Sequence, residues 1–275
     1  MQAGICAVPL LPLRSEPSER SEMISQILFG ELFEVLEEKD SWSRIRNHSD
    51  GYTGWCTKKM LQLLPTALVE KLKAMQPVIT RDLLSPCVRQ GEKEPQLYIP
   101  AGSRLYFSGH QAELFPLYRT RQKAVNPEIE YWFIPSDSIV SSISDITQSL
   151  VRSAGLFLNA PYLWGGKSVL GVDCSGLVQL VYSMCGFFLP RDAKDQALLG
   201  EHILTLSEAR PGDLAFFTNA EGKVIHVGMM LEDSRIIHAS GDVHIDPVDS
   251  TGIYSETLGL YTHQLFFIRR LIDTD

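Results

Sequence analysis

Asp173-Cys174-Ser175-Gly176-Leu177-Val178 opens the stretch on which the fold turns. Behind it, Leu177 to Cys185 carries almost no polar side chain, and Gly186 stands where a helix C-cap glycine belongs. The pattern predicts a buried helix with Asp173 as N-cap and Cys174 in the first turn. Unpaired N–H groups and the positive dipole end at such a terminus favour an anion. The Cys174 thiol is therefore expected to ionise more easily than a free cysteine, and the thiolate is the nucleophile. Ahead of the helix, Pro161-Tyr162-Leu163-Trp164-Gly165-Gly166 is aromatic and turn-rich. Cys6, Cys56, Cys87 and Cys185 read as small core residues. Cys174 stands apart because a carboxylate, a hydroxyl and a glycine surround it at a helix start.

A nucleophilic thiol needs a base. Beyond the helix, residues 191–196 suggest a second helix and Arg210-Pro211-Gly212-Asp213 a turn. Leu214-Ala215-Phe216-Phe217 reads as a buried strand, and 224–231 and 235–239 as a hairpin closed by Glu232-Asp233-Ser234. With that loop, His226 faces Ser240, and His238 is its diagonal neighbour on the same face. Diagonal residues stand about 7–8 Å apart at Cα, within reach of two imidazoles. One histidine can then accept the Cys174 proton while the other holds its ring. The same three residues could bind zinc, with water in the fourth place. No C-x-x-C or H-E-x-x-H spacing supports that, so neither a metal nor a cofactor is expected. His48, His110, His202 and His263 show no partner in the sequence, whereas His244 lies close enough to line the site.

The 275 residues, 44% hydrophobic and 21% charged, describe a globular protein long enough for two or more domains. A formal charge of −8 argues against nucleic acid as a partner. No run approaches the roughly 18 apolar residues of a membrane span, so no membrane partner is expected. Five cysteines without paired spacing argue against a disulfide framework. The first residues carry no Lys or Arg before Arg14, unlike the charged start of a secretory signal. A cytoplasmic location is expected, or a periplasmic or secreted one if a signal has been removed.

Residues 1–64 show short alternating strands and tight turns, the signature of a small barrel. Thr66 to Met75 reads as a connecting helix stopped by Pro77, and 78–139 as a second β-rich stretch. Its end, Tyr131 to Ile139, parallels Thr53 to Leu61, and residues 119–128 read as an exposed insertion. From Asp145 to Leu158 the apolar spacing is helical, and 265–271 looks like a last strand. Helices first and an antiparallel sheet after make this final part α+β.

Gly30-Glu31, Trp42 and Gly51-Tyr52-Thr53-Gly54-Trp55 resemble the bacterial SH3 domain of cell-wall enzymes. Pro161 to Gly166, Asp173 to Val178, Arg210 to Leu214, His226-Val227-Gly228 and His238-Ala239 are similar to the NlpC/p60 peptidases, in the family's order. The resemblance implies a papain-like cysteine peptidase domain at 143–275. It would follow an SH3-like barrel at 1–64, a linker helix at 65–77 and a second, divergent SH3-like barrel at 78–142. It further implies Cys174 as nucleophile, His226 as base and His238 as orienting residue. Tyr162 would serve the oxyanion site, and Trp164, Asp173 and Ser175 the substrate groove. In the segment after the helix, Arg191 would meet a substrate carboxylate beside Asp192. Two SH3-like domains ahead of the peptidase resemble the γ-D-glutamyl-L-diamino-acid endopeptidases of murein recycling. These cut stem peptides bearing a free N-terminal L-Ala. By that resemblance Tyr52 and Glu22, with Glu16 and Glu19 as rivals, would bind the free amine. A hydrolase working on the intact sacculus and a non-catalytic wall-peptide binding protein are the alternatives.

Overall fold

The computed structural model describes residues 2–89, 93–107, 117–118, 129–130, 132–133 and 146–272. The insertion expected at 119–128 lies outside them, as does most of the 131–139 stretch. The chain divides into two compact units, Met1–Ser142 and Ile143–Asp275.

The first unit begins with seven strands: β1 (Ala3–Ile5), β2 (Leu10–Arg14), β3 (Met23–Leu28), β4 (Leu32–Lys39), β5 (Trp42–Asn47), β6 (Thr53–Thr57) and β7 (Gln62–Leu64). They pair antiparallel in the order β3-β2-β6-β5-β4-β1-β7. Alternation sets the inner face: Leu11 and Leu13 of β2 and Ile45 of β5 pack with Cys6, Ile27, Phe33 and Cys56. Gly30 sits at φ +80° between β3 and β4, and a Cβ there would lie 1.7 Å from the Arg104 carbonyl oxygen. Only glycine fits. The next residue, Glu31, is buried, and a buried carboxylate needs donors. It accepts from the Leu28 N–H (2.8 Å) and the Ser49 hydroxyl (2.6 Å), with Arg104 at 3.8 Å. The Gly30-Glu31 pair thus closes one corner of the sheet.

α1 (Thr66–Lys73) matches the helix expected from the sequence, but it is not a free linker. Val69 and Leu72 are buried in one cluster with Ile5, Phe29 and Leu64, which precede the helix in the chain, and Cys87, Ile99 and Leu105, which follow it. The helix is therefore part of a core shared by the strands before and after it. Those after it are β8 (Val78–Ile79), β9 (Leu84–Arg89), β10 (Leu97–Pro100), β11 (Arg104–Leu105), β12 (Leu117–Tyr118), β13 (Ile129–Glu130) and β14 (Trp132–Phe133). Among the described residues they form three small sheets, β10-β9-β14, β11-β8 and β12-β13.

The second unit opens with α2 (Ile146–Gly155), then the short pair β15 (Lys167–Ser168) and β16 (Gly171–Val172). α3 (Cys174–Met184) follows, buried along almost its whole length. The helix expected at 191–196 is a single turn, α4 (Ala193–Gln196). The remaining strands are β17 (Glu201–Ile203), β18 (Leu214–Thr218), β19 (Val224–Met230), β20 (Arg235–Ser240), β21 (Asp242–Pro247), β22 (Gly252–Ser255) and β23 (Leu260–Arg270). Their order is β17-β23-β18-β19-β20-β21, with β22 beside β23. The last strand starts earlier than expected because β22 pairs with its first half. α3 packs on β19 and β20. The Tyr182 hydroxyl donates to the Gly212 carbonyl (2.6 Å), tying the helix to the turn that starts β18. No helix among the described residues is long and apolar enough to cross a membrane.

Candidate active site

Asp173 caps α3 as the sequence requires, its Oδ1 accepting from the Gly176 N–H at 2.7 Å. Its Oδ2 accepts from the Gly165 N–H (2.8 Å), fastening the Pro161–Gly166 turn to the helix start. A Cβ on Gly176 would stand 2.3 Å from the Gly166 carbonyl oxygen, so this close approach also demands glycine. Arg191 grips the same carboxylate with two bonds, Nη1 to Oδ1 (3.0 Å) and Nη2 to Oδ2 (2.6 Å). Its Nη1 also donates to the Ser175 hydroxyl at 2.9 Å. Arg191 is 2% exposed. This corrects the expectation that it meets a substrate carboxylate: its guanidinium is committed to Asp173 and Ser175, both of them buried too. The three form a buttress behind the thiol rather than a groove wall. Asp192 is half-buried, with Lys194 at 3.8 Å, and Trp164 is exposed on its turn.

Cys174 lies at the first position of α3, with the backbone N–H groups of Val227 and Ser175 facing its sulfur. Burial pushes the thiol up to about 11, and the Asp173 charge adds to the rise. The two N–H groups and Arg191 pull the other way and are outweighed. This overturns the expectation of an easily ionised thiol, because the helix terminus is buried beside its own capping carboxylate. An accepting base is therefore required, and the sulfur faces β19 one residue from His226. Tyr162 is half-buried, near enough to Cys174 and Asp173 for their charges, after burial, to push its hydroxyl up to about 12. It stays a hydrogen-bond donor at neutral pH.

The β19–β20 hairpin has the register read from the sequence, Met229 opposite Ile237 and Met230 opposite Ile236. Both histidines are buried, and His226 Nε2 lies 3.0 Å from His238 Nδ1. His238 Nε2 in turn lies 3.5 Å from Asp246 Oδ2. One pair of tautomers leaves a nitrogen of His226 open to accept a proton. With His226 protonated at Nε2 and donating to His238 Nδ1, the remaining nitrogen, His226 Nδ1, is free to take the thiol proton. His238 then carries its proton on Nε2, which lies 3.5 Å from Asp246 Oδ2 without a hydrogen bond between them. Burial, with neighbouring imidazoles, holds His226 well below its usual range and lowers His238 to about 3. Both rings are neutral at neutral pH, the state a proton acceptor needs.

Two residues of this assembly escaped sequence reading. His263 of β23 stacks on His226, with centroids 4.1 Å apart and planes at 25°. Asp246 sits on β21, a strand the sequence analysis did not place. Counting across Gly241, at φ +82°, as across 232–234 would have found the β20–β21 hairpin. His244, named for its closeness in sequence, stands directly opposite His238 on β21. In the first unit Tyr52 is half-buried and Glu22 exposed; Glu16 and Glu19 are exposed as well.

The neutral imidazoles make the fold sensitive to acid. Unfolded histidines take up protons near pH 6.5, whereas His238 resists protonation down to about 3. The unfolded state then binds more protons, so stability falls as pH drops from 6.5 toward 3. By pH 5, His238 alone should cost about 2 kcal/mol. Urea midpoints of the full chain, measured with chelator present at pH 7.5 and pH 5, should differ accordingly. His238→Gln should shrink the difference, and an unchanged gap would contradict this account.

A thiol at a helix N-terminus, held against the Val227 backbone N–H next to His226, whose ring pairs with that of His238, is the arrangement of the cysteine peptidases as a class. The comparisons point to the branch: residues 159–262 match the NlpC/P60 family, and residues 13–61 match the bacterial dipeptidyl-peptidase SH3 domain. The chain is 29% identical to the gamma-D-glutamyl-L-lysine dipeptidyl-peptidase of Bacillus subtilis, over 90% of this chain and 80% of that one. It is 26% identical to dipeptidyl-peptidase 6 of Lysinibacillus sphaericus, over 86% and 88%. Its fold is similar to the crystal structure of an NlpC/P60 family protein from Bacillus cereus. There the TM-score is 0.79, with 20% identity over 99% of this chain and 100% of that one.

Proposed function

We propose that this chain hydrolyses the γ-D-glutamyl–diamino-acid bond of peptidoglycan stem peptides that begin with a free L-Ala, in cell-wall peptide recycling. The observation that carries the reading is the arrangement of Cys174, His226 and His238 within a peptidase domain that accompanies a dipeptidyl-peptidase SH3 domain. The thiol gives its proton to His226 Nδ1, and the sulfur attacks the γ-amide carbonyl. The Val227 and Ser175 N–H groups stabilise the thiolate, and Tyr162 donates to the developing oxyanion. His226 returns the proton to the leaving amine, and water then releases the acyl-enzyme. His238 and Asp246 hold the charged ring through each transfer.

The finer architecture belongs to the same proposal: a papain-like peptidase behind a first SH3 domain and a second, divergent SH3-like part. In it Tyr52 and Glu22 bind the substrate amine, and Trp164 and Asp192 line the groove. The five thiols, none in a disulfide, support the cytoplasm as its compartment. Initial rates on L-Ala-γ-D-Glu-L-Lys, its diaminopimelate counterpart and their N-acetyl forms test the specificity. Acetylation should lower kcat/KM, because it removes the ammonium charge that Tyr52 and Glu22 would bind and adds bulk where the amine would sit. Equal rates on free and acetylated peptides would remove the amine from the recognition scheme.

A further inference from the structure

The β20–β21 pairing sets His238 opposite His244. Alternation brings Asp246, two residues beyond, to the same face. His238, His244 and Asp246 each offer one ligand atom, and these three atoms lie within 4.8 Å of one another. The His244 Nε2–Asp246 Oδ2 and His238 Nε2–Asp246 Oδ2 separations are 3.2 and 3.5 Å. Ligands about 2.0–2.1 Å from a tetrahedral zinc stand about 3.3–3.4 Å apart, so both edges already have the right length. A second observation points to a ligand here: His238 Nε2 is buried without a hydrogen-bond partner, and His238 is 1% exposed. The outer shell is also in place. His244 Nδ1 is 2.7 Å from Asp242 Oδ1, the carboxylate–histidine pairing that orients metal-binding imidazoles. His244 is only half-buried, which opens a way in for an ion.

We propose that His238, His244 and Asp246 bind a zinc ion, with water in the fourth position, and that its binding switches off the Cys174 thiol. The second half of this rests on the reading of Cys174, His226 and His238 as the catalytic set. Metal on His238 Nε2 leaves the ring proton on Nδ1, which must then donate to His226 Nε2. The His226 proton is forced onto Nδ1, the nitrogen that would accept the thiol proton. The base is blocked by its tautomer, and the ion never touches sulfur. A nitrogen–nitrogen–oxygen set with an open position suits zinc over magnesium or calcium, which take oxygen ligands.

The test begins with calorimetric titration of zinc into Cys174→Ala, which removes sulfur as a ligand. One ion per chain is expected, with affinity reduced by about 100-fold or more in Cys174→Ala/His244→Ala. Zinc should inhibit the Cys174-containing enzyme reversibly, with recovery on chelation, and His244→Ala and His244→Gln should keep both metal-free activity and activity in zinc. Circular dichroism verifies that both variants fold. Equal binding with and without His244 would overturn the site. Equal zinc inhibition of His244→Ala and wild type would put the ion on the thiol and overturn the switch, as would binding without inhibition. If Cys174→Ala cleaves peptide as fast as wild type, the catalytic reading fails, while calorimetry still reports on the metal site.

Discussion

Replacing Cys174 with alanine is expected to lower kcat for a γ-D-glutamyl peptide by roughly four orders of magnitude or more, with little change in the urea midpoint. The thiol is 8% exposed and small, so its removal leaves only a minor cavity. Its chemistry has no substitute, because among the described residues no other cysteine stands at the first position of a helix. His226→Ala should be nearly as severe: with the thiol held near 11, a neutral base must take its proton during the reaction. Residues acting as one unit are strongly non-additive. The double variant should therefore be about as slow as either single one. Single-turnover rates on the tripeptide provide the measurement. Multiplicative losses would show that Cys174 and His226 act in separate steps.

Arg191→Ala is expected to cost about 3–5 kcal/mol of stability, the largest single loss anticipated for this chain. The guanidinium makes two short bonds to Asp173, which also caps α3 and holds the Gly165 N–H. Removing it leaves a carboxylate charge buried and unpaired, a few ångströms from the reacting sulfur. The urea midpoint should fall steeply. Activity measured on the folded fraction should lose kcat rather than gain KM, since Arg191 positions the helix start and does not face solvent. A raised KM with an unchanged midpoint would restore the substrate-carboxylate role first expected for it.

Arg191 also shows where sequence reading stops. An arginine after a catalytic helix carries the same letter whether it faces solvent or its own helix cap. Its burial depends on how the turn at 161–166 folds back over α3, a non-local contact. The thiol taught the same lesson. Its place at a helix N-terminus was legible from Asp173, the apolar run and Gly186, and by itself predicted easy ionisation. Burial beside Asp173 reversed the direction, and burial is a property of packing.

Local pattern alone determined the helix start at Cys174, the β19–β20 register and the shared face of His226 and His238. Helix caps, side-chain periods and short hairpins depend on residues within a few positions of one another. Tertiary structure alone decided that His263 stacks on His226 and that α1 joins a core rather than linking two. Those contacts join residues far apart in the chain. Loop-closing contacts of that kind leave no periodic trace in the residues that make them.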